Sequence, residues 1–317
     1  MLTSFLKKLP YPIAGLMLGL AALGNLVSGY GMHYRYILGG TAALIFVLLL
    51  AKVLFFPASL REAFAQPVVC SVLPTFGMGT AILAGYLRQW ASGPAQLLWF
   101  AALALHIALI VIFTIRYVFS FKIKQVFPSW FIVYVGLATF SVTAPAFGQV
   151  ALGQVLLWVA LISYFLLLPV VIYRCAYVKE VPPPALPTLV IFTAPSSLAL
   201  AGYLSSFADR SPAIVYLLTV CTVLSFAFVL SRLPALLKLP FFPSYSAFTF
   251  PFVITAIALK GTAAYLNNTG RGIELLTSVI PLLELWALAA VIYVLVRYVR
   301  FLTDSSPAPA PQPQIAK

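Results

Sequence analysis

The sequence predicts an all-α polytopic membrane protein built from ten transmembrane helices in five helical hairpins. Three observations carry that prediction. Of the 317 residues, 63% are hydrophobic and 8% are charged, against about 45–50% and about 25% in soluble domains. Ten apolar segments approach the ~20 residues that a spanning helix needs. A proline recurs at the same place in every second segment. The mean hydropathy of +1.06 excludes a soluble enzyme, a nucleic-acid binder and a disordered chain.

The spans are expected near 12–30, 36–56, 67–87, 94–116, 128–147, 150–173, 187–205, 213–233, 244–266 and 273–301. Connections are short, so residues 1–303 form one transmembrane domain. Lys7-Lys8 ahead of an apolar run looks like a secretory signal. The length of the run, Pro10 and Pro12 at its entry, and the lack of a small-x-small cleavage site favour a retained first helix. The stretch 304–317, rich in Pro, Ala and Gln, is expected to be a disordered cytoplasmic tail.

Lys and Arg outnumber Asp and Glu by 19 to 6. With ten spans, Arg35, Arg88, Arg210 and Arg271 fall on one side, Lys260 falls within a span, and the other fourteen basic residues fall on the opposite side. Basic residues favour the cytoplasmic face. Both termini are therefore expected in the cytoplasm of a multi-pass protein of the inner (plasma) membrane.

Odd-numbered spans start at Pro12, Pro67, Pro128, Pro187 and Pro243, spaced 55 to 61 residues apart. Each pair of spans is one repeat. Proline is tolerated at a helix start because its missing N–H had no partner there. A second breaker follows seven or eight residues on: Gly19, Pro74, Gly136, Pro195 and Pro251. Such breaks free carbonyls, which in a bilayer survive only where protein, water or hydroxyls reach them. Thr75, Ser196, Ser197 and Thr249 lie beside the breakers, and Ser and Thr concentrate on the odd spans. The odd helices are therefore expected around a central axis, with the even helices outside them facing lipid.

Catalytic constellations are missing. The ionisable residues inside spans are His106, Lys260 and Glu284, which offer no paired carboxylates or nucleophile–base spacing. Cys70, Cys175 and Cys221 are far apart and give neither a disulfide framework nor a metal set. No cofactor and no metal are expected. His106 reads as a hydrogen-bonded packing histidine more readily than as a proton relay. Lys260 has two readings: an attractor of anions in the outer vestibule, or a lysine that snorkels or pairs with Glu284. No carboxylate falls on an odd span, so the axis suits an anion held by hydroxyl and backbone donors.

These residues resemble the tellurite-resistance/C4-dicarboxylate transporter family, which includes bacterial TehA, the yeast malate permease and the slow-type anion channels of plant guard cells. The matching stretches run from Ala14 through Gly15 and Gly19 to Leu23, Pro128 to Phe131, Thr193 to Ala199, and Ala247 to Phe252. The resemblance spans residues 10–300. It implies a quasi-fivefold bundle, five inner helices around a pore, in a homotrimer with one pore per protomer. It also implies a phenylalanine gate, which falls on Phe250 in Phe248-Thr249-Phe250. Gly15, Gly19, Pro74, Thr75, Gly136, Pro195, Ser196, Thr249 and Pro251 become candidate pore-lining or kink positions. The family's first span often carries a proline two residues after the glycine matching Gly15, where this chain has Met17.

The expected partners are the lipid bilayer and small anions: chloride, nitrate, a C4-dicarboxylate such as malate, or a tellurite oxyanion. Passive conduction is favoured, because a proton-coupled C4-dicarboxylate carrier needs a titratable group on the path. A drug/metabolite exporter would repeat near 150 residues, unlike this chain. A non-transporting scaffold would be sealed along its axis.

Overall fold

The computed structural model describes residues 2–304, so the expected tail beyond Asp304 lies outside the described residues. Every regular element among those residues is helical. The ten spans are α1 (Ile13–Leu26), α2 (Met32–Phe55), α3 (Pro67–Leu87), α4 (Ser92–Val118), α5 (Trp130–Phe147), α6 (Val150–Val178), α7 (Pro183–Ser206), α8 (Pro212–Leu237), α9 (Pro243–Asn268) and α10 (Glu274–Thr303). Short helices at Leu2–Lys8 and Pro57–Ala65 flank α2 at the end of the bundle where the chain starts.

Nine of the ten are long and apolar enough to cross a membrane. The exception is α1, with 14 residues, about 21 Å of helix at 1.5 Å per residue. Every residue of α1 except Asn25 is buried. A helix sheathed by other helices is not required to match the hydrocarbon thickness itself.

The odd helices form a closed inner ring. α1 packs on α3, α3 on α5, α5 on α7, α7 on α9, and α9 returns to α1. Each even helix packs on the odd helix that precedes it and leans on the next odd helix round the ring, so that α10 reaches back to α1. The ends of the described chain meet at one end of the bundle, where Lys8 Nζ donates to the Asp304 carbonyl over 2.5 Å.

Hydroxyl groups tie each neighbouring pair of the inner ring. Tyr86 on α3 donates to Ala21 O on α1 (2.7 Å). Ser71 on α3 donates to Ser129, which immediately precedes α5 (2.6 Å). Ser206 on α7 donates to Ser141 O on α5 (2.6 Å). Ser197 on α7 and Thr255 on α9 share a bond of 3.0 Å. Thr249 on α9 donates to Gly15 O on α1 (2.9 Å). Apolar surface gains nothing by leaving lipid for a protein interface, so close packing and such bonds hold membrane helices together.

Four of the five expected breaks are present. α3 breaks at Leu73–Pro74, and α5 at Gly136–Leu137. α7 runs as a 3₁₀ helix over Pro183–Thr193 and turns α-helical at Ala194. α9 is 3₁₀ over Pro243–Phe248 and α-helical from Phe250. The fifth expectation is corrected: α1 passes through Gly19 without a break. Glycine keeps its N–H, so no helical hydrogen bond is lost there. A Cβ at Gly19 would lie 2.5 Å from Thr249 Cβ, and one at Gly15 would lie 2.9 Å from Ser246 Cβ. Gly15 and Gly19 therefore act as a small-xxx-small surface that admits α9.

Candidate functional site: an axial cavity at the level of the helix breaks

Side-chain donors bond carbonyls at the breaks. Thr75 donates to Val72 O (2.7 Å) beside the α3 break. At the α5 break, Leu137 N–H bonds to Tyr134 O instead of continuing the α-helical ladder. Val133 O accepts instead from His106 Nε2 of α4 (3.1 Å). That geometry makes Nε2 the protonated nitrogen and gives His106 a structural task. Thr193 meets Val190 O (3.2 Å) where α7 changes pitch. Thr249 meets both Ser246 O (2.7 Å) and Gly15 O (2.9 Å) where α9 does so.

The breaks surround a cavity of about 50 Å³ on the axis of the inner ring. All five inner helices line it. α1 contributes Gly15 and Leu18, α3 contributes Val72, Thr75 and Met78, and α5 contributes Phe131, Ile132, Val135 and Gly136. Thr188, Ile191, Ala194, Pro195 and Leu198 come from α7, and Ser244, Ser246, Ala247, Phe250 and Pro251 from α9. None of these residues is charged. The wall is mostly apolar, with hydroxyls from Thr75, Thr188, Ser244 and Ser246. Those of Thr75 and Thr188 donate to carbonyls of their own helices, Val72 O and Ala185 O. Their protons are engaged, and their oxygens remain as acceptors.

Phe250 is only 5% exposed. It is the first residue of the α-helical part of α9. The double bond made by Thr249 fixes the peptide just before it. Thr249 has φ −98° and ψ −88°, a turn that redirects the chain where the pitch changes. The Phe250 ring thus starts from a fixed point and borders the cavity.

The cavity brings together Gly15, Thr75, Gly136, Pro195, Phe250 and Pro251. The remaining sequence candidates sit elsewhere. Gly19 lies under Thr249 at the α1–α9 contact, Pro74 starts the second segment of α3, and Ser196 is buried but does not line the cavity. Lys260 is also outside the lining. Its Nζ lies 2.7 Å from Glu284 Oε1 on α10, and Tyr30 donates to Glu284 Oε2 (2.6 Å). The alternative reading, a pair with Glu284 on the next span, is the geometry found.

Thr188, Ser244 and Phe131 were not foreseen as cavity residues. A signal was present for the two hydroxyls. Thr188 follows Pro187 and Ser244 follows Pro243, so the residue after the repeat proline points inward in both helices.

No curated protein matches the chain at a significant level. A family model described as a voltage-dependent anion channel does match, over residues 9–299. That match covers nine spans in full, most of α10 and every cavity residue, and the chain belongs to the voltage-dependent anion channel (SLAC1) family.

Proposed function

We propose that the protein conducts small anions passively along the axis of its inner ring, with Phe250 as the steric gate. The observation that carries this reading is the cavity itself: five helices, four of them broken at its level, line one uncharged chamber, and Phe250 borders it. The chamber contains no carboxylate to hold a cation and no titratable lining group to couple protons to transport. Broken helices turn dipole ends toward an ion that sheds part of its water. Chloride, nitrate and a small carboxylate all fit the chemistry. The axis is completed by one chain, in keeping with one pore per protomer of a homotrimer in the inner membrane. The distribution of basic residues supports an orientation with both termini in the cytoplasm.

Anion flux into proteoliposomes tests the gate. Phe250→Ala is expected to raise chloride and nitrate flux by about tenfold or more, equal to at least ~1.4 kcal/mol off the barrier. The gain is expected with or without a proton gradient. Unchanged flux in a correctly folded variant rejects Phe250 as the gate. Malate uptake that demands the gradient rejects passive conduction.

A further inference from the structure

Farther along the ring, on the side away from the chain ends, lies a second pocket of about 270 Å³. α9 contributes Ile257, Gly261, Ala264, Tyr265 and Asn268, and α7 contributes Ala201, Leu204 and Ser205. Arg210, in the connection from α7 to α8, completes it. Helical register shows where the pocket lies. From Phe250, the positions 257, 261, 264 and 268 follow in steps of seven, four, three and four, which stay on one face of a helix. From Ala194, the positions 198, 201 and 205 do the same on α7. The faces of α7 and α9 that line the axial cavity therefore also line this pocket, which starts about 10 Å beyond Phe250 at 1.5 Å per residue.

Arg210 is unusual among the basic residues of that end. Arg35 lies over the Tyr86 ring and donates to Asn25. Lys260 is spent on Glu284. Arg210 makes no ion pair among the described residues, although Asp209 is its neighbour in sequence. Its Nε is buried with no hydrogen-bond partner. Tyr265 donates to the Arg210 carbonyl (3.3 Å), which ties the connection carrying Arg210 to α9. A buried, unsatisfied guanidinium N–H is costly, and a ligand acceptor would relieve that cost.

We infer that this pocket is an anion-capture site at the mouth of the axis, with Arg210 as its main ligand and Ser205 and Asn268 as further donors. The inference rests on the axial conduction path proposed above and names the anion that path receives. A guanidinium presents a planar fork of donors that fits two oxygens of one oxyanion, a geometry that a spherical halide cannot use. The class favoured is therefore a planar oxyanion or carboxylate over chloride. The same oxygen chemistry occurs in a lipid phosphate, which the experiment separates.

The test measures flux in the Phe250→Ala background, in neutral phosphatidylcholine vesicles, as a function of nitrate or chloride on the Arg210 side. Arg210→Gln is expected to raise the half-saturating nitrate concentration about tenfold, which is ~1.4 kcal/mol of binding, and the chloride value less. Arg210→Lys, which keeps charge without the fork, is expected to recover chloride more fully than nitrate. It also serves if Arg210→Gln does not fold. Unchanged nitrate saturation in a conducting Arg210→Gln variant overturns the site. Equal recovery of both anions by lysine overturns the oxyanion preference. An effect that needs phosphatidylglycerol in the vesicle overturns it in favour of a lipid headgroup. A Phe250→Ala protein that does not conduct refutes the gate instead, and nitrate binding to wild type measured by calorimetry then decides the pocket separately.

Discussion

The inner ring is less apolar than the outer ring and far more buried. The most apolar stretches of α3, α5, α7 and α9 are 67% to 83% buried, whereas those of the five even helices are 22% to 33% buried. Prolines occur in both rings. Pro169, Pro234 and Pro281 sit inside α6, α8 and α10, which continue as single helices. Inner helices at comparable prolines change pitch or break. The lesson is that a proline by itself does not decide whether a membrane helix breaks; the helices packed around it do. Around the axis Thr75, His106, Thr193 and Thr249 each bond a carbonyl beside a break.

Three substitutions sharpen that contrast beyond the gate variant, from the largest effect downward. Gly19→Val puts a branched side chain where a Cβ already meets Thr249 at 2.5 Å. Overpacking of this kind costs about 1–3 kcal/mol, so a lower unfolding temperature in detergent is expected, and an unchanged one would mean that α1 and α9 can separate freely. Lys260→Ala breaks the one ion pair between an inner and an outer helix among the described residues. Because Lys260 is half exposed, about 1 kcal/mol of stability is expected to go, with anion selectivity intact. Altered selectivity at wild-type stability would return Lys260 to the conduction path. Leu224→Ala removes a side chain of α8 that is 65% exposed. Its effect is expected to stay within about 0.5 kcal/mol, and a larger loss would show that α8 contacts protein there.

Much of this architecture is legible in the residue order. Hydropathy and length locate the spans, and the prolines with their hydroxyls separate inner helices from outer ones. What escapes are features that depend on two distant segments at once. Gly19 reads as a breaker by its place in the repeat, yet Thr249, far off in sequence, makes it a contact surface. Gly15 and Gly19 are spaced four apart, and that spacing was the available clue. Glu284 and Lys260 appear to lie at different depths when each helix is counted alone, and the reach of a lysine side chain closes the gap. The Val133 carbonyl cannot be matched to His106 until the α5 break is seen. Of the cavity, Pro251, Pro195, Thr75 and Gly136 were legible from the repeat, and Phe250 and Gly15 from the resemblance. Thr188 and Ser244 share a place after the repeat proline, but that signal alone did not find them, because a hydroxyl there has no fixed direction until the 3₁₀ pitch is known.

The contact between Lys8 and Asp304 bears on how the ring could be cut. A circle of five hairpins with adjoining ends has no privileged first member. Joining those ends by a short linker and opening the chain between α2 and α3, or between α4 and α5, would leave every neighbour relation intact. Exposed connections are where such rearrangements are tolerated. In this fold the order of hairpins around the circle sets which helices are neighbours.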